Sequence, residues 1–339
     1  MVYNMGRNLV TELTNERNGK VKRLKNSDDK KVAHFINPVS GSHRFYDATR
    51  KAVDEIGGKI FVSERSGQIT EMVKDALRKD PSTHVVVYGG DGTVFEAVNG
   101  IMQSGHSDTA VLSIIPSGSG NDFSAFANDS GKLPRGEKHK IDLIKVTCGD
   151  DVHYFDNMMN IGFDCDVVYE TFNIRKAGVI KGSAAYIAGV ARVLAKKKAM
   201  AVSLTLSDCV DIADGSKAPD YSVTKNLLIT ACANAPYCGG GFNAAPLADL
   251  SDGLMDVLVI SDVSRAKFVS LIGEYRSGTY IGKDGKLKPQ YKNVLDYIRC
   301  GKMAITGPVR YCLDGEVFET YGKPITAEVV HEAINFMAI

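Results

Sequence analysis

The amino-acid sequence predicts an α/β protein with two domains, an N-terminal open parallel sheet of the Rossmann-like type and a C-terminal β-rich sandwich or barrel-like domain. At 339 residues the chain exceeds what one small core needs. Apolar strand-like runs alternate with helix-like segments as far as residue 140, and strand-like runs then follow one another with few helices between them. We expect the first domain to span residues 31–140 with about 320–339, and the second to span 141–319.

The first 30 residues are polar and rich in Asn, Lys and Arg, with too few apolar residues for a buried stripe. We predict a flexible extension there. The N-terminal domain is then predicted to run through these strands and helices in turn: strand Val32–Ile36, helix Phe45–Ile56, strand Lys59–Val62, helix Ile69–Arg78, strand His84–Tyr88, a helix opening near Val94, and strand Ala110–Ile115.

Three of these strands end in polar, glycine-containing loops, Asn37–Gly41, Gly89–Thr93 and Ser117–Asp122. The carboxyl ends of parallel strands meet at one edge of a sheet, where open α/β sheets bind their ligands. Glycines let backbone N–H groups approach an anion, and the start of the next helix adds partial positive charge. The loops therefore predict a phosphate site. Asp91 would repel bare phosphate, so its place there implies a cation or a proton that takes part in the chemistry.

The second domain is predicted from strand-like runs and one helical pair. The runs are Ile141–Thr147, Val152–Asn160, Met200–Leu206, Val223–Ala233, Leu254–Ile260 and Tyr297–Thr306. The helices are Val167–Phe172 and Ser183–Lys198, and the second of them ends in three lysines. We favour a helix that packs on the core, with the lysines complementing the negative C-terminal end of its dipole. The alternative is that the lysines form a basic edge that faces a membrane.

Composition excludes several classes of protein. Lys and Arg number 41 against 40 Asp and Glu, so there is no basic field of the kind that nucleic-acid binding needs. The seven cysteines form no C-x-x-C pair and no apolar leader is present, which favours a cytoplasmic protein. No run of residues is apolar enough to span a bilayer, so a lipid substrate would be reached by transient, peripheral contact at the membrane surface.

Familiar catalytic signatures are also absent from the sequence. The dinucleotide fingerprint fails at its third glycine, where Phe95 and Phe123 stand in the two candidate segments. We find no Gly-Lys-Ser/Thr phosphate loop, no His-Glu-x-x-His, no zinc-spaced Cys/His set and no Gly-x-Ser-x-Gly.

Five segments in this order resemble the diacylglycerol kinase catalytic family, which includes bacterial lipid kinases and the sphingosine and ceramide kinases. They are Asn37-Pro38-x-Ser40-Gly41, Gly89-Gly90-Asp91-Gly92-Thr93, Pro116-x-Gly118-Ser119-x-Asn121-Asp122-Phe123, Leu250-x-Asp252-Gly253-Leu254-Met255-Asp256-Val257 and Asp314-Gly315-Glu316. Each segment alone is weak, and their common order from Val32 to the C-terminus is specific. The resemblance implies ATP-dependent phosphorylation of a lipid hydroxyl in a cleft between a nucleotide-binding domain and a β-rich domain.

Position by position, the resemblance implies a set of ATP contacts and a set of carboxylates that organise the catalytic Mg²⁺. The implied ATP contacts are Asn37, Pro38, Val39, Ser40, Gly41, Ser63, Gly90, Asp91, Gly92, Thr93, Val94, Phe95, Glu96 and Ser119. The implied Mg²⁺ carboxylates are Asp91, Asp122 and Asp142. Dispersed acids suit Mg²⁺, which retains water molecules and binds phosphate oxygens.

Two further roles are implied in the second domain. Glu316 matches the general base of the family, although Leu313–Val317 read alone predicts only a hairpin with an Asp-Gly turn. Asp249, Asp252 and Leu254 match a second, structural Mg²⁺ site of some members, and the alternative is that Asp252-Gly253 is only a turn.

The chain departs from bacterial members at Ser42 and Ala125, where Lys or Arg is common. The acceptor is therefore open among diacylglycerol, which we favour, a sphingoid base, ceramide and phosphatidylglycerol. A catalytically silent nucleotide-binding or lipid-binding module is the alternative from another class. NAD kinase shares the Gly-Gly-Asp-Gly-Thr turn, but its Thr-Pro-Thr-Gly-Ser-Thr-Ala-Tyr type of segment is missing. A homodimer remains open.

Overall fold

The structure of the protein is a computed structural model. It describes residues 31–40, 49, 53, 57–129, 131–178, 183–196, 198–212 and 214–339. The predicted extension over residues 1–30, Gly41 and most of the predicted helix Phe45–Ile56 lie outside the described residues. The chain divides into two compact units, Met1–Ile141 with Glu332–Ile339, and Asp142–His331.

The first unit is built on a parallel sheet. Its strands are β1 (Val32–Ile36), β2 (Lys59–Val62), β3 (His84–Gly89) and β4 (Val111–Pro116), and its helices are α1 (Gln68–Lys79), α2 (Asp91–Ser104) and α3 (Asp122–Asp129). The strands pair in parallel in the order β2-β1-β3-β4, and the end of the last strand of the chain, β17 (Ile325–Met337), adds beside β4. The predicted parallel α/β architecture is confirmed.

Apolar patterning explains these elements. β1 and β3 are buried along their whole length, as expected of strands covered on both faces. The stripe on α1 buries Ile69, Val73 and Leu77, which recur at helical spacing. Each loop that leaves the carboxyl end of β1, β3 or β4 is therefore held by a rigid strand.

The second unit is mainly antiparallel. Its strands are β5 (Lys138–Cys148, from Asp142 onward), β6 (Asp151–Phe155), β7 (Met158–Gly162), β8 (Met200–Ser207), β9 (Tyr221–Ala233), β10 (Tyr237–Cys238), β11 (Phe242–Asn243), β12 (Met255–Ser261), β13 (Leu295–Cys300), β14 (Lys302–Thr306), β15 (Arg310–Leu313), β16 (Glu316–Glu319) and the first part of β17. Its helices are α4 (Phe163–Lys176), α5 (Ser183–Lys196) and α6 (Arg265–Ser277), with a 3₁₀ turn at Pro289–Tyr291.

Strand pairing in this unit follows the order β16-β15-β7-β9-β8-β14-β17, with β12 also pairing with β9 and β13. The long strand β9 is central, because one half of it pairs with β8 and the other half with β7 and β12. The helices pack against this sheet, and the rings of Phe163 and Phe268 meet edge to face at 4.8 Å. The predicted β-rich domain is confirmed.

Two predicted strands are wrong in detail, and the helices α3 and α6 were not predicted. The run Val152–Asn160 divides into β6 and β7 because Asp156 and Asn157 break the pairing. The run Tyr297–Thr306 divides at Gly301 into β13 and β14. Helix α6 begins after Ser264, whose side chain accepts from the backbone N–H of Lys267. No helix in the described part of the chain is long and apolar enough to cross a membrane.

Candidate functional site

The loop after β1 is joined to the start of α2 by Asn37. Its backbone N–H donates to the carbonyl of Tyr88 at 3.1 Å, which continues the sheet by one bond. Its side-chain Nδ2 donates to Oγ1 of Thr93 at 3.0 Å, and its Oδ1 accepts from the N–H of Val39 at 3.1 Å. Asn37 therefore shapes its own turn and fixes it to the glycine-rich loop after β3.

Two glycines let the loops after β3 and β4 lie against each other. A Cβ on Gly118 would lie 2.5 Å from the Cα of Gly90, and a Cβ on Gly90 would lie 2.9 Å from the Cα of Gly118. These distances are shorter than side-chain carbons tolerate, so both positions need glycine. Ser117 adds a hydrogen bond from its hydroxyl to the hydroxyl of Ser40 at 3.0 Å. The structure thus brings the three sequence-predicted loops together.

Asn121 closes the loop after β4 in a left-handed conformation with φ 60°. Its Oδ1 accepts from the N–H of Gly118 at 2.9 Å, and its Nδ2 donates to the carbonyl of the same residue at 2.7 Å. The backbone N–H of Asn121 donates to Oδ2 of Asp91 at 2.8 Å. The carboxylate of Asp91 is therefore held at the start of α2 by the neighbouring loop.

The carboxylates of Asp91 and Asp122 converge on Gly120. Oδ2 of Asp91 and Oδ2 of Asp122 lie 2.6 Å and 3.7 Å from the point that a Cβ on Gly120 would occupy. A Cβ at this position would clash with Oδ2 of Asp91, so the close approach of this acid needs glycine. Two carboxylates that both lie near Gly120, beside the N-termini of α2 and α3, suit a hydrated Mg²⁺ that also binds phosphate oxygens.

The remaining residues predicted to contact ATP differ in how exposed they are to solvent. Val94 and Phe95 are buried in the core of the first unit, so their side chains serve packing. Ser63 is buried, and its N–H donates to the carbonyl of Ile36 at 3.0 Å. Pro38 and Val39 form the turn after β1, and Gly92 lies in the first turn of α2. Ser119 is exposed in the loop after β4.

Glu96 has a structural role that the sequence did not indicate. Its Oε1 accepts from the N–H of Gly67 at 2.8 Å, and its Oε2 accepts from the N–H of Ile69 at 3.1 Å. These N–H groups lie at the start of α1, which has no side-chain cap of its own. Glu96 thus supplies an acceptor and a negative charge where the dipole of α1 favours them. Its predicted contact with ATP stays a prediction.

In the second unit, Glu316 opens the edge strand β16, directly after a two-residue turn made of Asp314 and Gly315. Both turn residues have positive φ, 47° and 95°, which is typical of the tight hairpin that joins antiparallel strands. The predicted Asp-Gly hairpin is therefore present, and it leaves Glu316 exposed.

The buried side chain of Asp314 anchors this turn to the rest of the second unit. Its Oδ1 accepts from the N–H of Met158 at 2.8 Å, and its Oδ2 accepts from the N–H of Asp156 at 3.1 Å. Burial raises the pKa of Asp314 above its ordinary value, and the N–H donors oppose that shift. The side chain of Asp314 thus fixes the backbone that carries Glu316 to the segment between β6 and β7.

Asp142 is the central residue of a network of hydrogen bonds in the second unit, which we call the buried connection. Its Oδ2 accepts from the N–H of Gly253 at 2.7 Å, and its Oδ1 lies 2.8 Å from Nδ1 of His331. The carbonyl of Asp142 accepts from Nδ2 of Asn234 at 2.9 Å, and the same Nδ2 donates to the carbonyl of Asp156 at 2.8 Å. Asp142 is fully buried and holds the loop before β12 in place.

Sequence reasoning missed Asn234, Asp156 and His331 as members of this connection. Asn234 is 0% exposed and links Asp142 to Asp156, whose N–H is bound by Asp314. An unbroken set of hydrogen bonds therefore runs from the loop at Gly253 to the turn that presents Glu316.

The predicted second metal site lies in this same loop, and its residues have protein partners. Oδ1 of Asp249 accepts from the N–H and the hydroxyl of Ser251 at 3.1 and 3.0 Å. Oδ1 of Asp252 accepts from the N–H of Leu254 at 3.0 Å, and its Oδ2 accepts from Nη2 of Arg299. Among the described residues, no three His, Cys, Asp or Glu side chains are grouped so as to hold a metal ion.

The parallel sheet with its three loops and the β-rich second unit are together the architecture of the diacylglycerol kinase fold. The family model of the diacylglycerol kinase catalytic domain matches residues 31–152. The family model of the YegS C-terminal NAD kinase beta sandwich-like domain matches residues 157–338. The chain belongs to the YegS-like lipid kinase family, as the resemblance of its motifs predicted.

Individual relatives agree with this assignment. The chain is 26% identical over 289 residues to a Shewanella frigidimarina protein named "Probable lipid kinase YegS-like", covering 82% of this chain and 83% of that protein. It is 27% identical over 308 residues to a protein of the same name from Yersinia pestis, covering 87% and 92% of the two chains. A solved diacylglycerol kinase structure from Bacillus anthracis has the same fold, with a TM-score of 0.61, 18% identity, and coverage of 91% and 97%.

Proposed function

We propose that the protein transfers the γ-phosphoryl group of ATP to the hydroxyl of a membrane lipid, with diacylglycerol as the acceptor and phosphatidic acid as the product. The observation that carries this proposal is the close approach of the three loops at the edge of the parallel sheet, through Gly90 against Gly118 and Asn37 against Thr93. Kinases of the diacylglycerol kinase family use ATP. Loops that bring glycine backbone and the start of a helix to one place favour a polyphosphate.

Asp91 and Asp122 are the residues that would hold Mg²⁺. Their carboxylates both lie close to Gly120, and the N–H of Asn121 fixes the orientation of Asp91. When bound, Mg²⁺ would neutralise charge on the transferring phosphoryl group. Asp142 is fully buried with donors on both carboxylate oxygens, so we propose that it positions the loop at Gly253 and does not contact Mg²⁺.

Glu316 is the proposed general base. Its exposed carboxylate accepts the proton of the lipid hydroxyl while the hydroxyl oxygen bonds to the γ-phosphorus, and the bond from that phosphorus to the bridging oxygen of ADP breaks. Asp314 acts through Glu316, because its buried carboxylate fixes the preceding turn to the backbone of Asp156 and Met158. We also propose that a cytoplasmic enzyme visits its lipid from the membrane surface.

The proposal is tested by transfer of labelled γ-phosphate from ATP and Mg²⁺ to mixed micelles that contain diacylglycerol, a sphingoid base, ceramide or phosphatidylglycerol. We expect labelled phosphatidic acid as the main product. We expect Asp91→Asn to lose at least 100-fold in kcat/KM, and Asp75→Asn, an exposed acid on α1, to match the wild type. Labelling of another lipid would change the acceptor, and no labelling of any lipid would refute the kinase.

A further inference from the structure

The loop before β12 carries Asp252, one of the acids that the family resemblance assigns to a structural divalent cation, and an arginine of the protein already pairs with it. Arg299 lies on β13 directly opposite Asp256 of β12. Its Nη2 donates to Oδ2 of Asp252, and its Nε lies 3.4 Å from Oδ1 of Asp256. One guanidinium therefore contacts the carboxylates of both acids.

Burial makes this arrangement specific. The side chain of Arg299 is 17% exposed, that of Asp252 28%, and that of Asp256 1%. The carboxylate of Asp256 needs a compensating charge because water barely reaches it, whereas the carboxylate of Asp252 is partly exposed. The planar fork of arginine suits two acids at once, and its charge is permanent. Arg299 thus provides at this place the positive charge that a bound cation would otherwise supply.

The donor set does not fit a second Mg²⁺. Oδ1 of Asp252 accepts from the N–H of Leu254, and Oδ2 accepts from Arg299, so both carboxylate oxygens of this acid of the predicted ligand set have donors within the protein. A divalent cation bound to Asp252 would also lie within a few ångströms of the guanidinium, where the two positive charges repel. Mg²⁺ requires several oxygen ligands at near-octahedral positions. Within the described part of the chain, no three His, Cys, Asp or Glu side chains are grouped so as to supply them.

We propose that Arg299 replaces the structural cation in this protein, so that the loop Leu250–Leu254 is fixed by an internal ion pair and its stability does not depend on divalent metal. The guanidinium ties the loop to β13, and the hydrogen bond from Gly253 to Asp142 ties it to β5. Metal dependence then belongs only to phosphoryl transfer. The inference concerns stability in the absence of nucleotide, so it stands or falls independently of the proposed kinase reaction.

The first test is the melting temperature of the nucleotide-free wild type with EDTA and with millimolar Mg²⁺ or Ca²⁺, together with its metal content after dialysis. We expect melting temperatures within 1 °C of one another and less than 0.1 metal ion per chain. A drop of 3 °C or more in EDTA, or one Mg²⁺ retained per chain, would overturn the inference if it persists in Asp91→Asn, which removes a carboxylate of the proposed catalytic Mg²⁺ site.

The second test removes the internal cation. We expect Arg299→Met to lower the melting temperature by roughly 5–10 °C, because a buried pair loses one partner. Arg299→Lys keeps the positive charge but lacks the planar guanidinium, so its melting temperature should lie between those of the wild type and Arg299→Met. The double variant Arg299→Met with Asp252→Asn should recover at least a third of the loss, because it removes one uncompensated carboxylate. Arg78→Met, an exposed arginine on α1, is the control and should change by less than 1 °C.

Equal melting temperatures of Arg299→Met and the wild type would contradict the inference. If Arg299→Met does not fold, the EDTA measurement on the wild type and the melting temperature of Arg299→Lys still decide it.

Discussion

Replacing Asn234 with alanine tests the buried connection between the loop at Gly253 and the turn that carries Glu316. The amide Nδ2 of Asn234 donates to the carbonyls of Asp142 and Asp156 at 2.9 and 2.8 Å, and the side chain is completely buried. Alanine leaves both carbonyls without that donor in a place that solvent does not reach. We therefore expect a large loss of stability and a displaced Glu316.

The magnitude follows from the two lost hydrogen bonds. Each buried acceptor that loses its donor costs about 1–2 kcal/mol, so the free energy of unfolding should fall by about 2–4 kcal/mol. For a unit of this size, that corresponds to a melting temperature lower by roughly 5–12 °C. The kcat for lipid phosphorylation should fall about 10-fold while the KM for ATP stays the same, because the connection lies in the second unit and the loops proposed to bind ATP lie in the first.

Asn335→Ala is a matched control for this prediction. Nδ2 of Asn335 also donates to two carbonyls, those of Asp108 and Ala110, at 2.8 and 2.9 Å. Asn335 is only half-buried, so water can replace both bonds and the loss should stay below about 1 kcal/mol. Thermal unfolding and steady-state kinetics of both variants provide the comparison. Equal losses of stability in the two variants would refute the reasoning.

Two further perturbations address the loops proposed to bind ATP and the pH dependence of stability. Gly118→Ala places a Cβ 2.5 Å from the Cα of Gly90 and should raise the KM for ATP at least 10-fold, whereas Gly273→Ala, with open space around it in α6, should leave the KM unchanged. Burial raises the pKa of Asp164 to about 6, against the opposing hydrogen bond from Tyr275. The folded protein therefore binds the proton of the Asp164 carboxyl more tightly than the unfolded chain does. The resulting contribution to the free energy of unfolding is complete below about pH 4 and is lost as the pH rises to about 6. The melting temperature of Asp164→Asn relative to the wild type should therefore increase across that window and level off above it, and a constant difference would contradict the assignment.

The sequence contains enough information to predict the parallel sheet and the three loops at its edge. Asn37, Gly90 and Asp122 are in segments that are weak singly and specific in their common order, and the structure brings their loops together. The β-rich character of the second domain was predictable because strand-like runs replace the alternation of strand and helix. The spacing of Phe268, Leu271 and Tyr275 is helical, so α6 was also within reach of the sequence.

The buried connection in the second unit could not be predicted from sequence. Asn234 meets Asp142 and Asp156 only because β9 pairs with β7 at that point, and its partners lie 92 and 78 residues away. Glu96 presents the same difficulty, because its pairing with the start of α1 depends on how two helices pack. Arg299 carried no motif, and the register between β12 and β13 places it beside Asp256.

The most direct test of the central claim is the rate of γ-phosphate transfer from ATP to diacylglycerol in mixed micelles by the wild type, Glu316→Gln and Glu319→Gln. Both variants neutralise an exposed acid on β16, and only Glu316 follows the turn that Asp314 anchors. We predict that Glu316→Gln loses 100-fold or more in kcat with an unchanged melting temperature, and that Glu319→Gln retains at least half of the wild-type kcat. Equal kcat values for the wild type and Glu316→Gln would contradict the assignment of Glu316 as the general base.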